Sequence, residues 1–175
     1  MALISVDELN EYTGNYETAS YKATLIGAAS DVVESYLGYS LAKTNRSHEI
    51  ISWGTDRVIL PVPNVASITS IYIGDTLLAS TDYTLVAGRL FSQVVFTETV
   101  LRGQIIKIAY IAGYDVVPDV IKQAALRIAA LMLEEANGNI GVTSKTFADM
   151  SRQFVSYTNY NKYLYPISGY RLGAL

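Results

Sequence analysis

The 175-residue chain contains no cysteine. Disulfide staples, thiolate metal sites and cysteine nucleophiles are excluded, while the redox compartment stays open. Only one histidine is present, His48. Any acyl-transfer triad would have to run through that imidazole, and no G-x-S-x-G elbow accompanies it. An H-E-x-x-H arrangement is also missing, and the nearest acids, Glu49 and Asp56, do not complete a ligand set. His48 therefore reads as a solvated residue at a strand start. Glycine spacing is equally uninformative for phosphate chemistry. "GNIGVTSK" lacks the G-x-x-x-x-G-K-[ST] spacing and follows a helix pattern, and "YIAGYD" has one glycine where a dinucleotide fingerprint needs three. Glu134 and Glu135 are adjacent on a predicted helix and point to different faces, as solvated acids do. No catalytic residue, cofactor or metal is expected.

Charge is scarce as well. Charged residues make up 17% of the chain, against a usual share of about 25%. The formal net charge is −3, and Lys43, Arg46, Arg57, Arg152, Lys162 and Arg171 are too scattered for a nucleic-acid-gripping face. Tyrosine is abundant instead, with 14 copies. Such a composition suits either a buried protein contact or a tyrosine-rich core. The start "MALISVDELN" has no basic segment ahead of an apolar one, so a signal peptide is not expected. The most apolar helix pattern, "VIKQAALRIAALMLEE", is interrupted by Lys122 and Arg127 and is too short to span a bilayer. No membrane is expected as a partner, and the chain reads as soluble.

Half of the residues are apolar, enough for a packed core in a chain of this length. Ser5 and Glu8 form a capping-box pattern opening a short helix that Gly14 should stop. A second helix is predicted from about Thr18 to Leu37, with Leu25, Ala29, Val32 and Tyr36 on its core face and Gly38 as its exit. Strand pattern then fills the middle. "HEIISW" and "DRVILP" around Gly54-Thr55 suggest a hairpin. "SITSIYI" alternates and turns at Gly74-Asp75, and "DYTLV", "QVVFTE" and "QIIKIAYI" follow. Without crossover helices, the sheet should be mostly antiparallel or mixed. After Pro118 a helix stripe returns on Val120, Ala124, Ile128, Leu131 and Met132, thickened by Ala125, Ala129 and Leu133. Its apolar circumference invites cover from a neighbouring subunit. "NGNIG" ends it as an ordered turn or a loop, and Phe147, Ser151, Phe154 and Tyr157 then recur at helical spacing.

The predicted organisation is α+β. A helical body takes 1–47 and 113–156, a central β block takes 48–112, and an extended aromatic tail takes 157–175. In "YIAGYDVVPDVI", Tyr110, Gly113, Tyr114 and Pro118 form the joint between β block and helix. Gly113 supplies the tight exit, the tyrosines brace it, and Pro118 occupies the first helical turn.

That stretch, with "ISVDELNEYTG", "LIGAASDVVESYLGYS", "LPVPNVASITSIYIGD" and "DYTLVAGRLF", resembles the head–tail connector (adaptor, head-completion) proteins of long-tailed double-stranded DNA bacteriophages. The resemblance covers about Leu3 to Glu135, and it rests on the order and spacing of motifs that are individually weak. It implies a virion protein at the head–tail junction, present in the host cytoplasm during assembly. Such subunits form a ring, typically of twelve, under the portal and are often monomeric when free. The ring extends the DNA channel and docks a stopper or tail component, and double-stranded DNA passes its lumen without sequence-specific binding. Carried onto this chain, Ile128, Leu131, Met132, Val32 and Tyr36 become candidate subunit-interface residues. The C-terminal Tyr157, Tyr160, Tyr163, Leu164, Tyr165, Tyr170 and Leu172 become candidate portal contacts. The residues alone leave a second reading open, a non-catalytic virion or surface module that recognises a protein or glycan through the β block.

Overall fold

The structure, a computed structural model, describes residues 2–14, 17–88, 91–134, 144–147, 150–153 and 160–172, with backbone alone for 144–147 and 150–153. The chain divides into a helical unit, Met1–Gly38 with Val117–Arg171, and a β unit, Tyr39–Val116 with Leu172–Leu175.

In the helical unit, α1 (Val6–Thr13) opens on the expected capping box. The Glu8 amide donates to the Ser5 hydroxyl at 3.1 Å, and the Ser5 amide donates to the Glu8 carboxylate at 2.6 Å. That amide bond holds the Glu8 carboxyl below its ordinary pKa. Gly14 closes the helix in the left-handed region, φ 60°, where a side chain would be strained.

Helix α2 (Ala19–Leu37) lies between Thr18 and Gly38, as its sequence indicates. Its buried face differs from the expected stripe. Lys22, Ile26, Ala29, Ser30, Val33 and Leu37 are buried, a rotation of one residue, about 100°, from Leu25, Val32 and Tyr36. Two polar residues on the true face disguised it. Ser30 donates to the Ile26 carbonyl at 2.7 Å and accepts from the Leu3 amide at 3.1 Å. The Lys22 amine donates to the Asn10 side chain. With such partners, polar groups enter a core at little net cost.

Helix α3 (Asp119–Glu134) packs on α2 and α1. Ile121, Ala124, Ala125, Ile128, Ala129 and Leu133 are buried, and the alanines leave room for a close neighbour. Pro118 sits one place before the first helical residue, and its carbonyl accepts from the Lys122 amide at 3.2 Å. It caps the helix rather than joining the first turn.

The C-terminal aromatic segment is not extended over its described residues. Helix α4 (Asn161–Leu164) and a 3-10 turn (Tyr165–Tyr170) pack against α3, with Leu164 and Ile167 buried. Apolar residues three apart face one side of this tight helix, which brings the chain down onto the core. The helical reading of Phe147 and Ser151 is also overturned. Ser144–Phe147 and Met150–Gln153 form an antiparallel pair, β8–β9, with Phe147 opposite Met150. A few residues at i, i+4 do not fix a helix where short segments also suit strands. Phe154, Tyr157 and the "NGNIG" stretch lie outside the described residues.

The β unit holds two sheets. The first has the order β1 (Thr44–Ile51), β7 (Ile105–Ala112), β3 (Val65–Ile73), β4 (Thr76–Leu77). The second has the order β2 (Arg57–Leu60), β6 (Ser92–Phe96), β5 (Tyr83–Val86), and every pair in both is antiparallel. The expected hairpin between "HEIISW" and "DRVILP" does not form. β1 pairs with β7 and β2 with β6, because Ser52 ties the intervening loop to residues 100–104 and sends β2 into the other sheet. β3–β4 is the expected hairpin. Gly74 (φ 60°) is the first loop residue, the position that a type II′ turn reserves for glycine.

Because β1 begins at Thr44, His48 stands mid-strand opposite Ile108. It is half-buried, and burial pushes its imidazole below the ordinary pKa. β7 is central in its sheet, and its inward Ile106, Ile108, Tyr110 and Ala112 are buried alongside Ile71 and Val65. Burial raises the Tyr110 phenol pKa, with Arg46 acting in the opposite direction.

The expected joint is a point of close backbone contact. Gly113 has φ 123°, and a Cβ there would lie 2.3 Å from the Ala42 carbonyl oxygen and 2.5 Å from the Lys43 Cα. Its amide donates to the Asn64 carbonyl at 3.2 Å, and the Asn64 side-chain amide donates to the Gly113 carbonyl at 2.7 Å. The Tyr114 amide donates to the Leu41 carbonyl at 3.0 Å. Tyr110 is buried and Tyr114 half-buried. Substitution Gly113→Ala meets both a forbidden φ and backbone atoms. We expect a loss of about 2 kcal/mol or more, seen as a fall of roughly 4–8 °C in Tm; an unchanged Tm would contradict the geometry. The His48 shift has a definite sign. The unfolded chain binds its proton more readily, so this contribution is present above about pH 6.5 and is lost as the pH falls through the lower folded value. Denaturant unfolding read by tryptophan emission at pH 7 and pH 5 should show a smaller acid-induced loss for His48→Gln than for the parent chain.

Candidate assembly surfaces

Among the described residues no group of three or more histidine or acidic side chains could hold a metal ion. His48 borders a shallow hollow of about 270 Å³ on the four-stranded sheet, with Ser47, Glu49, Ser70, Tyr72 and Lys107. Within it the ion pair of Glu49 with Lys107 spans 3.6 Å between exposed groups and contributes little. Ile108 and Ala109 complete the lining, so His48 stands in mixed polar and apolar surface.

On the helical unit, the candidate interface residues separate by burial. Ile128 is fully buried within the protomer, where its side chain contributes about 1.5–3 kcal/mol to the fold. It cannot serve a subunit contact without unpacking α3, so that assignment is corrected. Leu131, Met132, Val32 and Tyr36 are half-buried and border the packed faces of α3 and α2. The C-terminal residues separate similarly. Leu164 belongs to the core, whereas Tyr160, Tyr163, Tyr170 and Leu172 are half-buried and Tyr165 is 78% exposed. Arg171 lies over the Tyr36 ring at 5.3 Å, and Lys162 stands 5.9 Å from the Tyr163 ring. The Arg171 contact ties the segment's end to α2, while the Lys162 contact stays within the segment. A groove of about 240 Å³ between α3 and this segment is lined by Val120, Gln123, Ala124, Arg127, Tyr163 and Pro166. Tyr157 lies outside the described residues.

A second surface on the β unit escaped sequence reasoning. At one end of the four-stranded sheet Ile51 stands opposite Ile105, and both are exposed. Trp53 is 73% and Leu101 69% exposed just beyond them. Buried Ser52 organises this end. Its amide donates to the Gln104 carbonyl at 2.8 Å, its carbonyl accepts from the Gly103 amide at 2.8 Å, and its hydroxyl donates to the Val100 carbonyl at 3.0 Å. The Arg102 guanidinium lies over the Trp53 ring at 5.8 Å. Beside the cluster runs a cleft of about 380 Å³ lined by Ile73, Leu78, Phe96, Val100 and Leu101, with Asp82 and Glu98 also in its wall. Sequence reading missed the cluster because residues 51–53 and 101–105 are far apart in the chain, and the expected β1–β2 hairpin would have separated them.

No helix among the described residues is long and apolar enough to cross a membrane. No curated protein matches the chain. Among solved structures, the chain is similar to one in the virion of the native gene transfer agent (GTA) particle. The TM-score is 0.65 at 15% identity, covering 99% of this chain and 91% of that one. It is also similar to a chain in the neck of the native GTA particle computed with C12 symmetry. There the TM-score is 0.63 at 17% identity, over 97% and 89% of the two chains. At these identities the likeness is one of fold. A family model described as head completion protein matches residues 2–162. That span takes in both units and nearly the whole length, so the chain belongs to the head completion protein family.

Proposed function

We propose that the chain is a connector subunit that assembles as a ring under the portal of a phage-like particle, extends the DNA channel and docks the next head-completion or tail component. The family match over residues 2–162 carries this reading. Support for a ring comes from the similar folds in GTA necks computed with C6 and C12 symmetry. The surface chemistry fits a structural part better than an enzyme. Half-buried Leu131, Met132, Val32 and Tyr36 suit contact with neighbouring subunits, and the aromatic C-terminal segment suits contact with the portal. A subunit with net charge −3, repeated around a pore, repels phosphate and lets DNA slide. The lumen-facing residues of the ring are accordingly acidic or neutral in this reading.

The decisive experiment mixes the free chain with portal assemblies and asks, by electron microscopy, whether it adds as a closed ring. Absence of any ring under all conditions would refute the connector reading.

The C-terminal contact needs a test that spares the fold, since removing 157–175 would strip Leu164 and Ile167 from the core. Tyr165→Ala should leave Tm unchanged and weaken portal binding roughly tenfold, as loss of an interface aromatic does. Ile167→Ala should instead cost about 2–4 kcal/mol in unfolding experiments. Portal binding unaffected by Tyr165→Ala would argue against this segment as the anchor.

A further inference from the structure

The exposed end of the four-stranded sheet has composition, rigidity and charge that together describe a partner. We propose that Ile51, Trp53, Leu101 and Ile105, with the adjoining cleft, form a docking site for a protein segment that presents an apolar side chain flanked by lysine or arginine. This rests on the connector reading and adds to it a surface and a partner chemistry.

The cluster is contiguous. Ile51 and Ile105 are cross-strand neighbours, Trp53 is two residues beyond Ile51, and the Gly74 amide, donating to the Ile105 carbonyl at 2.8 Å, closes the β3–β4 turn against them. It is also fixed in place. The three Ser52 bonds hold the loop that carries Trp53 against the turn that carries Leu101, so little ordering entropy remains to be lost on binding. Exposed tryptophan, isoleucine and leucine with an arginine beside them have the make-up of an interface centre. The cleft of about 380 Å³ next to Leu101 has a mixed lining, in which Ile73, Leu78 and Leu101 offer an apolar part to an inserted side chain and Asp82, Glu98 and Gln104 a polar one.

Charge selects the occupant. Asp82 and Glu98 are exposed in the wall of the cleft, and Asp75 is exposed in the turn that closes against Ile105. The Arg102 guanidinium lies on Trp53. An acidic rim repels nucleic-acid phosphate and anionic lipid headgroups. Two copies meeting two-fold through this end would oppose rim to rim, so a symmetric pair is disfavoured as well. A segment with lysine or arginine beside its apolar anchor satisfies both rim and cleft.

Trp53 is the chain's only tryptophan, so its emission reports occupancy directly. Emission of the full chain is titrated with a capped synthetic peptide carrying two leucines between lysines, and with its glutamate counterpart. The expected result is a saturable blue shift with the lysine peptide and binding at least tenfold weaker for the glutamate peptide. The double variant Asp82→Lys/Glu98→Lys should lose that preference. Equal responses to both peptides, no saturable shift, or a stronger shift with anionic vesicles or duplex DNA would each overturn the proposal. Particle composition then separates it from the connector reading. Heads assembled with the double variant should retain this chain but acquire the next component about tenfold less often. Normal completion of those particles overturns the docking site and leaves the connector reading standing, whereas absence of even the unaltered chain from heads overturns the connector reading.

Discussion

The approach of two backbones at Gly113 is the constraint from which the β unit's arrangement follows. With φ 123° and no Cβ, the chain leaving β7 can pass within contact distance of residues 42 and 43, which lead into β1. β1 is paired with β7 over its whole length, Thr44 opposite Ala112 through Ile51 opposite Ile105. The close passage at Gly113 therefore closes the same ladder whose far end displays the Ile51–Ile105 pair. Asn64, in the left-handed region at φ 55°, adds the third strand's lead-in by bonding Gly113 in both directions. Asparagine tolerates that backbone better than most residues. One glycine and one asparagine thus align three strands, and a side chain at position 113 would push the segments apart.

Much of this was legible in the chain, and the failures have identifiable causes. Elements whose signals are local were read well. Ser5, Glu8 and Gly14 bound α1, Gly38 ends α2, and Gly74 turns β3 into β4, each through chemistry contained within a few residues. Pairings that depend on partners far along the chain were read poorly. β1 and β2 look like a hairpin until Ser52 is seen bonding to Val100, Gly103 and Gln104. The buried face of α2 was missed because Lys22 and Ser30 read as outward residues, and only their partners Asn10 and Leu3 make burial tolerable. Ile167 was read as part of a free tail for a similar reason, since nothing near it in sequence shows that α3 provides its pocket. The joint was legible from Gly113 and Pro118, although Pro118 caps α3 from just outside it.

The low charge of the chain has a structural counterpart in how its polar groups are used. Ser30, Ser52 and Ser92 are buried, and Ser52 directs its bonds to backbone groups between strands. A hydroxyl that satisfies peptide groups where regular pairing stops is a compact way to fix a loop. Two salt bridges between described residues, by contrast, are exposed. Lys43–Asp115 at 2.7 Å and Asp56–Arg57 at 3.1 Å have solvent around them, and such pairs contribute little to stability. The Ser52 hydroxyl and the backbone contact at Gly113 therefore fix specific shape more than these two exposed pairs do.

That division bears on function. A part that must hold its shape while large partners join it benefits from surfaces whose geometry is set before contact. The outward Tyr165 stands on a turn held down by Ile167, and Trp53 stands on a loop held by Ser52. In both places a buried residue within two positions in the chain fixes an exposed aromatic. The aromatic then brings contact area to a partner with few rotatable bonds left to order. The Ser52 bonds hold the loop that presents the hydrophobic Trp53. The placement of Ser52 beneath Trp53 is what separates a built contact surface from apolar residues that are merely left over at a sheet's end.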